Sequence, residues 1–188
     1  LRQSSKLHKA SNDPASVSGV LITSDGLLVL GIRAGHRYSN SVMTVPAGSV
    51  GYHSGKNPLF ESIYEEHSEE TGLHGDQICS MELLGRIFDN TLARNSLYVF
   101  RSKTNLTFAE LLALWGESED RREHKYLVPL PNDPERILHA LAENPYDLSQ
   151  VDTGDSSRTT MGNVNTILPP GAASLLLYSG TNLRVPEV

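Results

Sequence analysis

The chain has 188 residues, 38% of them hydrophobic and 20% charged, with a formal net charge of −6 and one cysteine, Cys79. Such a length and composition suit one ordinary globular domain with a substantial core, and a negative balance without a basic run argues against general nucleic-acid or anionic-membrane binding. One cysteine excludes an internal disulfide and fits a reducing compartment, no apolar run reaches membrane-spanning length, and no signal pattern opens the chain, so a cytoplasmic location is expected.

Residues 1–14 are polar and are expected to form an arm with little intrinsic structure, followed by a single domain over 15–188. Val17 to Thr23 and Leu27 to Arg33 read as strands, joined into a hairpin by the turn signal Ser24-Asp25-Gly26. Arg33 and Arg37 are candidate phosphate ligands, because guanidinium forks match phosphate oxygens; ordinary surface arginines are an equal alternative. Val42 to Val45 is a short strand leading into Pro46. The following loop, Gly48 to Lys56, holds three glycines and is flexible by composition.

The next segment predicts a helix. Asn57 is a good N-cap, Pro58 suits the first helical position, and Gly72 is a natural stop. Phe60, Ile63, Tyr64, His67 and Thr71 recur at helical spacing as one apolar-leaning stripe. At about 100° per residue, Glu66, Glu69 and Glu70 share a face beside that stripe, while Glu61, Glu65 and Ser68 point elsewhere. No Lys or Arg lies between Lys56 and Arg86 to neutralise them. Like charges at this spacing destabilise a bare helix, so something should compensate. A hard divalent cation is one answer, since Mg²⁺ is held by one or two carboxylates plus substrate phosphates. A solvated acidic face is the commoner reason for such a run.

Met81 to Phe88 and Ser96 to Arg101 read as strands flanking a turn at Asp89-Asn90. Phe108 to Trp115 has helical spacing behind Thr107, and Trp115 is more readily a packing residue than a stacking platform. A strand from Lys125 to Leu130 follows the polar stretch Glu117 to His124. Asn132-Asp133-Pro134 starts a helix whose apolar face is Ile137, Leu138 and Leu141, and Pro169-Pro170 opens another through Tyr178. Between them, residues 147–166 read as a long, mobile surface loop. The order predicts an α+β chain, a mixed sheet with helices packed on it.

The segment closed by Glu66, Glu69, Glu70, Gly72 and Leu73 resembles the Nudix box, G-x5-E-x7-R-E-U-x-E-E-x-G-U with U a bulky apolar residue. Val45-Pro46-Ala47-Gly48 resembles the turn that opens it. The pattern's first glutamate is Asn57 here, its arginine is Glu65, and His67 occupies an apolar position. The opening loop is three residues longer than the pattern allows, counted from Gly48. In the family the lost Glu and Arg brace the loop with an ion pair, and Asn57 can cap the helix instead.

The resemblance implies an αβα sandwich with a catalytic loop-helix-loop, and hydrolysis of a diphosphate linkage in a nucleoside diphosphate joined to another moiety. It implies Mg²⁺ or Mn²⁺ at Glu66, Glu69 and Glu70, with the Gly48 carbonyl in the metal shell. A glutamate just before a late strand binds metal through water or acts as general base; Glu123 is the candidate, with Glu119 and Asp120 behind it. Glu69, Glu70 and Glu123 form the expected catalytic set, and Arg33 and Arg37 the substrate grip. A non-catalytic nucleotide-binding module is the alternative, favoured weakly by Asn57 and Glu65. Similar folds often pair, which leaves a homodimer open.

Overall fold

The computed structural model describes residues 14–34, 40–51, 57–89, 95–118, 121–142 and 166–182. The sheet is organised around β1 (Ala15–Ile22), whose side chains alternate between two buried faces. Val17 and Leu21 point one way, Val20 and Ile22 the other. Strands buried on both sides need apolar residues in both registers, and β2 (Leu27–Arg33) repeats the pattern, with Val29 opposed to Leu28, Leu30 and Ile32.

Among the described residues the other strands are β3 (Ser41–Thr44), β4 (Ala47–Ser49), β5 (Ile78–Asp89), β6 (Asn95–Thr104), β7 (His124–Pro131) and β8 (Thr166–Ile167). The path runs β5-β6-β1-β2-β3-β8, with β4 paired to β1 and β7 to β2. The pairing is mixed: β1 and β6 are parallel from Ala15↔Ser96 to Ile22↔Lys103, while β2 and β7 are antiparallel. The turn after β1 closes through Gly26, and β1 and β2 pair only at Ile22↔Leu28 before diverging to take β4 and β7 as partners.

Helices cover both faces, giving the expected αβα sandwich. On one side lie α1 (Pro58–Glu66) and α2 (Phe108–Trp115), burying Ile63 and Leu111. On the other, α3 (Pro134–Ala142) and α4 (Pro169–Asn182) bury Ile137, Leu175 and Tyr178 against Val20, Leu30 and Val128. The α2 start is a capping box: the Thr107 hydroxyl accepts from the Glu110 N–H while the Glu110 carboxylate accepts from the Thr107 N–H. Among the described residues no helix is long and apolar enough to cross a membrane.

Several expectations change. β4 and β8 replace stretches read as loop; the rest of the 147–166 segment, like residues 1–13, lies outside the described residues. β4 is three residues of Ala, Gly and Ser, which carry no strand signal of their own; β1 pairing makes it a strand. Asn57 stands at the N-cap with Pro58 after it, but its side chain makes no capping hydrogen bond. Tyr64, placed on the apolar stripe, is 43% exposed. Asn57 and Glu65 sit at opposite ends of α1, roughly 12 Å apart along the axis at the ordinary helical rise.

Candidate metal and substrate site

The α1 helix does not end at Glu66. It runs on as a π-helical turn, His67–Thr71, and stops at Gly72, whose φ of 75° only glycine adopts cheaply. The turn is pinned from inside. Ile63, His67 and Thr71 are fully buried, and the Thr71 hydroxyl donates to the His67 carbonyl at 2.6 Å. His67 takes the place of an apolar residue by pairing its Nε2 with the Ser102 hydroxyl at 2.9 Å, and burial pushes its pKa down to about 3, so the ring is neutral. This anchoring fixes where the glutamates emerge: Glu70 is buried, whereas Glu66 and Glu69 are half-buried.

Glu66 lies directly against Gly48 of β4. A Cβ on Gly48 would fall 1.6 Å from Glu66 Oε1, so only glycine admits the carboxylate there. The Glu66 pKa is raised to about 7, first by burial and then by the charges of Glu70, Glu69, Glu123 and Glu65. Glu70 Oε2 accepts from the Ala47 N–H at 3.1 Å and lies 3.5 Å from His124 Nε2. Glu123 closes the 3-10 turn Arg121–Glu123; its carbonyl accepts from the Ala34 N–H at 2.8 Å, and its carboxylate accepts from Arg33 at 3.2 Å.

The structure thus gathers Gly48, Glu66, Glu69, Glu70 and Glu123 in one region, with Arg33 bonded to Glu123 at its edge. Arg37, Glu119 and Asp120 lie outside the described residues. Among the described residues no three His, Cys, Asp or Glu side chains form a ready metal cage. The physical reason at Glu70 is visible: one oxygen is turned to Ala47 and His124. The donors nevertheless suit a hard divalent cation, being carboxylates close to one another beside a bare glycine backbone, with Glu66 held protonated to higher pH by burial and by its charged neighbours.

A cavity of about 570 Å³ adjoins this region through Ala47 and Gly48. Its walls are mainly apolar or small, from Val17, Met43, Ile87, Leu97 and Pro170, with Asn95 and three serines. Met43 links it to Arg33, whose Nη1 lies 3.4 Å from the Met43 sulfur. This size and lining are those of a small-molecule pocket.

No family model matches the chain, and no curated protein matches it in sequence. Solved structures do match. The E. coli ORF135 protein superposes with a TM-score of 0.53 at 14% identity, over 93% of this chain and 94% of its own. DR0079 from Deinococcus radiodurans gives a TM-score of 0.50 at 20% identity, over 69% of this chain and 72% of that one. A mutT/nudix family protein from Listeria innocua gives 0.50 at 13% identity, over 90% and 92%. The chain has the Nudix fold. At these identities the likeness is one of architecture, and within the Nudix fold the site must be argued from this chain's own residues.

Those residues include several that pattern reading missed: His124 as a partner of Glu70, the Ala47 amide, Ser102 under His67, and the cavity walls. The buried His67 was the available signal, since a histidine in an apolar stripe needs a polar partner.

The raised Glu66 pKa carries a pH signature. With about 7 in the metal-free fold against 4.5 unfolded, the folded chain holds the extra proton between those values. Stability therefore falls as pH rises from about 4.5 through 7 for this group. His67 acts oppositely: its lowered pKa makes stability fall as pH drops below about 6.5. The Glu66→Gln variant separates them. In EDTA, its Tm advantage over the parent is expected to grow between pH 5 and pH 8. A constant difference would deny that burial and the neighbouring carboxylates hold the Glu66 pKa up.

Proposed function

We propose that this chain is a metal-dependent hydrolase of a diphosphate linkage in a nucleoside diphosphate derivative. The observation that supports it most is the gathering of Glu69, Glu70 and Glu123 around Glu66, which lies against Gly48 and resists ionisation until about pH 7. Glu66, Glu69, Glu70 and the Gly48 carbonyl would hold Mg²⁺ or Mn²⁺. Such an ion, when bound, neutralises phosphate charge and acidifies water.

Glu123 takes the proton of the attacking water, and Arg33 keeps its carboxylate in place. Glu69 is the alternative base. The uncharged cavity beside Gly48 receives the nucleoside or the group joined to the diphosphate, leaving the charged linkage at the carboxylates. Glu123→Gln is expected to lower kcat by about 10²–10⁴-fold with Mn²⁺ affinity nearly unchanged. Full activity in that variant would move the base to Glu69.

The test of the whole reading is turnover of a panel of nucleotide sugars, dinucleotides and nucleoside triphosphates with Mg²⁺ or Mn²⁺, against EDTA. Metal-dependent release of a nucleotide product supports it. Binding without turnover across the panel would favour the non-catalytic nucleotide-binding module, for which the substitutions at Asn57 and Glu65 speak.

A further inference from the structure

We infer that His124 is a positioning residue, which together with the Ala47 N–H holds one oxygen of Glu70 so that only the other is offered to a ligand. This rests on the reading of Glu70 as a metal ligand given above. The geometry starts from β7, whose first residue is His124, only 3% exposed. Its Nε2 lies 3.5 Å from Glu70 Oε2, the same oxygen that accepts from Ala47 at 3.1 Å. Two donors on one oxygen leave Oε1 as the free acceptor.

The ring has little room to turn away. Gly31 of β2 lies flat against it, and a Cβ there would come within 2.5 Å of His124 Nδ1 and 2.6 Å of a Val45 methyl. Nδ1 has no hydrogen-bond partner among the described residues. A buried N–H without an acceptor is rarer and costlier than an idle lone pair, which places the proton on Nε2, facing the carboxylate. Three strands thus converge on one carboxylate: β7 supplies the imidazole, β2 the bare backbone that wedges it, and β4 the second donor. Carboxylate ligands held in this way by a neighbouring N–H are oriented before the ion arrives.

The test compares His124→Gln, whose amide nitrogen reaches the Nε2 position, with His124→Asn, whose amide stops short, and His124→Leu, which has no donor. Mn²⁺ affinity is measured on the full chain by calorimetry, and Ala47 amide exchange by NMR without metal. Loss of the donor is expected to weaken Mn²⁺ binding by about 10–100-fold in the Leu and Asn variants, with Gln close to the parent. Ala47 should exchange faster in Leu and Asn only. In a Glu70→Gln background, His124→Leu should weaken binding no further. Parental affinity and Ala47 protection in folded Leu and Asn variants would overturn the inference, as would an equal loss in the Glu70→Gln background. If the parent binds no Mn²⁺, the metal reading fails, and Ala47 exchange alone decides whether His124 holds Glu70.

Discussion

Glu70→Gln is expected to lower turnover by about 10³-fold and to weaken Mn²⁺ binding with it. A bound metal contributes several kcal/mol of transition-state stabilisation, and each ~1.36 kcal/mol is tenfold in rate. Gln preserves the shape of the side chain and can still face the Ala47 N–H, so the loss reports charge. Glu66→Gln and Glu69→Gln should behave alike. Glu61→Gln, on the same helix but away from the glutamate face, should leave turnover unchanged and controls for net acidity. Steady-state kinetics on a substrate found by the panel, alongside Mn²⁺ titration, provide the check. Equal losses in the Glu61 and Glu70 variants would mean that bulk charge, not a metal-binding face, explains the cluster.

Gly48→Ala is expected to separate activity from stability. The new Cβ would fall 1.6 Å from Oε1 and 2.0 Å from Cδ of Glu66. Those atoms end a flexible, half-buried side chain, so the carboxylate can swing aside. An off-rotamer swing costs about 0.5–1.5 kcal/mol, so the melting temperature should move little. The displaced carboxylate no longer meets the β4 backbone, and turnover should fall by about 10²-fold, a loss of about 2.7 kcal/mol, with Mn²⁺ affinity falling in parallel. Native turnover in Gly48→Ala would show that Glu66 does not act from its place beside β4.

Much of this was legible before any coordinates. Apolar runs on either side of Ser24-Asp25-Gly26 marked β1 and β2, Thr107 marked the start of α2, and Gly72 marked the end of the glutamate helix, where the backbone is left-handed and favours glycine. The convergence of Glu66, Glu69 and Glu70 was anticipated for an incomplete reason. A uniform 100° per residue assumes α-helical winding, whereas His67–Thr71 is a π-helical turn, and Glu70 goes inward to Ala47 and His124. Local sequence does not announce such a turn, because tertiary contacts at His67 and Thr71 hold it. The Arg33–Glu123 pair joins residues ninety positions apart through β2 and β7, a separation that no periodicity can bridge. β4, too short and too small in its side chains to have a pattern, exists because β1 offers it a partner.

Thermal melting with Mn²⁺ against EDTA tests most directly whether the carboxylates about Gly48 form a metal site. A ligand that binds only the folded chain adds RT ln(1 + [L]/Kd), about 2.7 kcal/mol at a hundredfold excess over Kd. The parent protein should melt several degrees higher with millimolar Mn²⁺, more so at pH 8 than at pH 6 because Glu66 must first lose its proton. Glu70→Gln should lose most of that rise. An unchanged melting temperature in the parent at millimolar Mn²⁺ at both pH values would contradict the metal site, and with it the hydrolase reading.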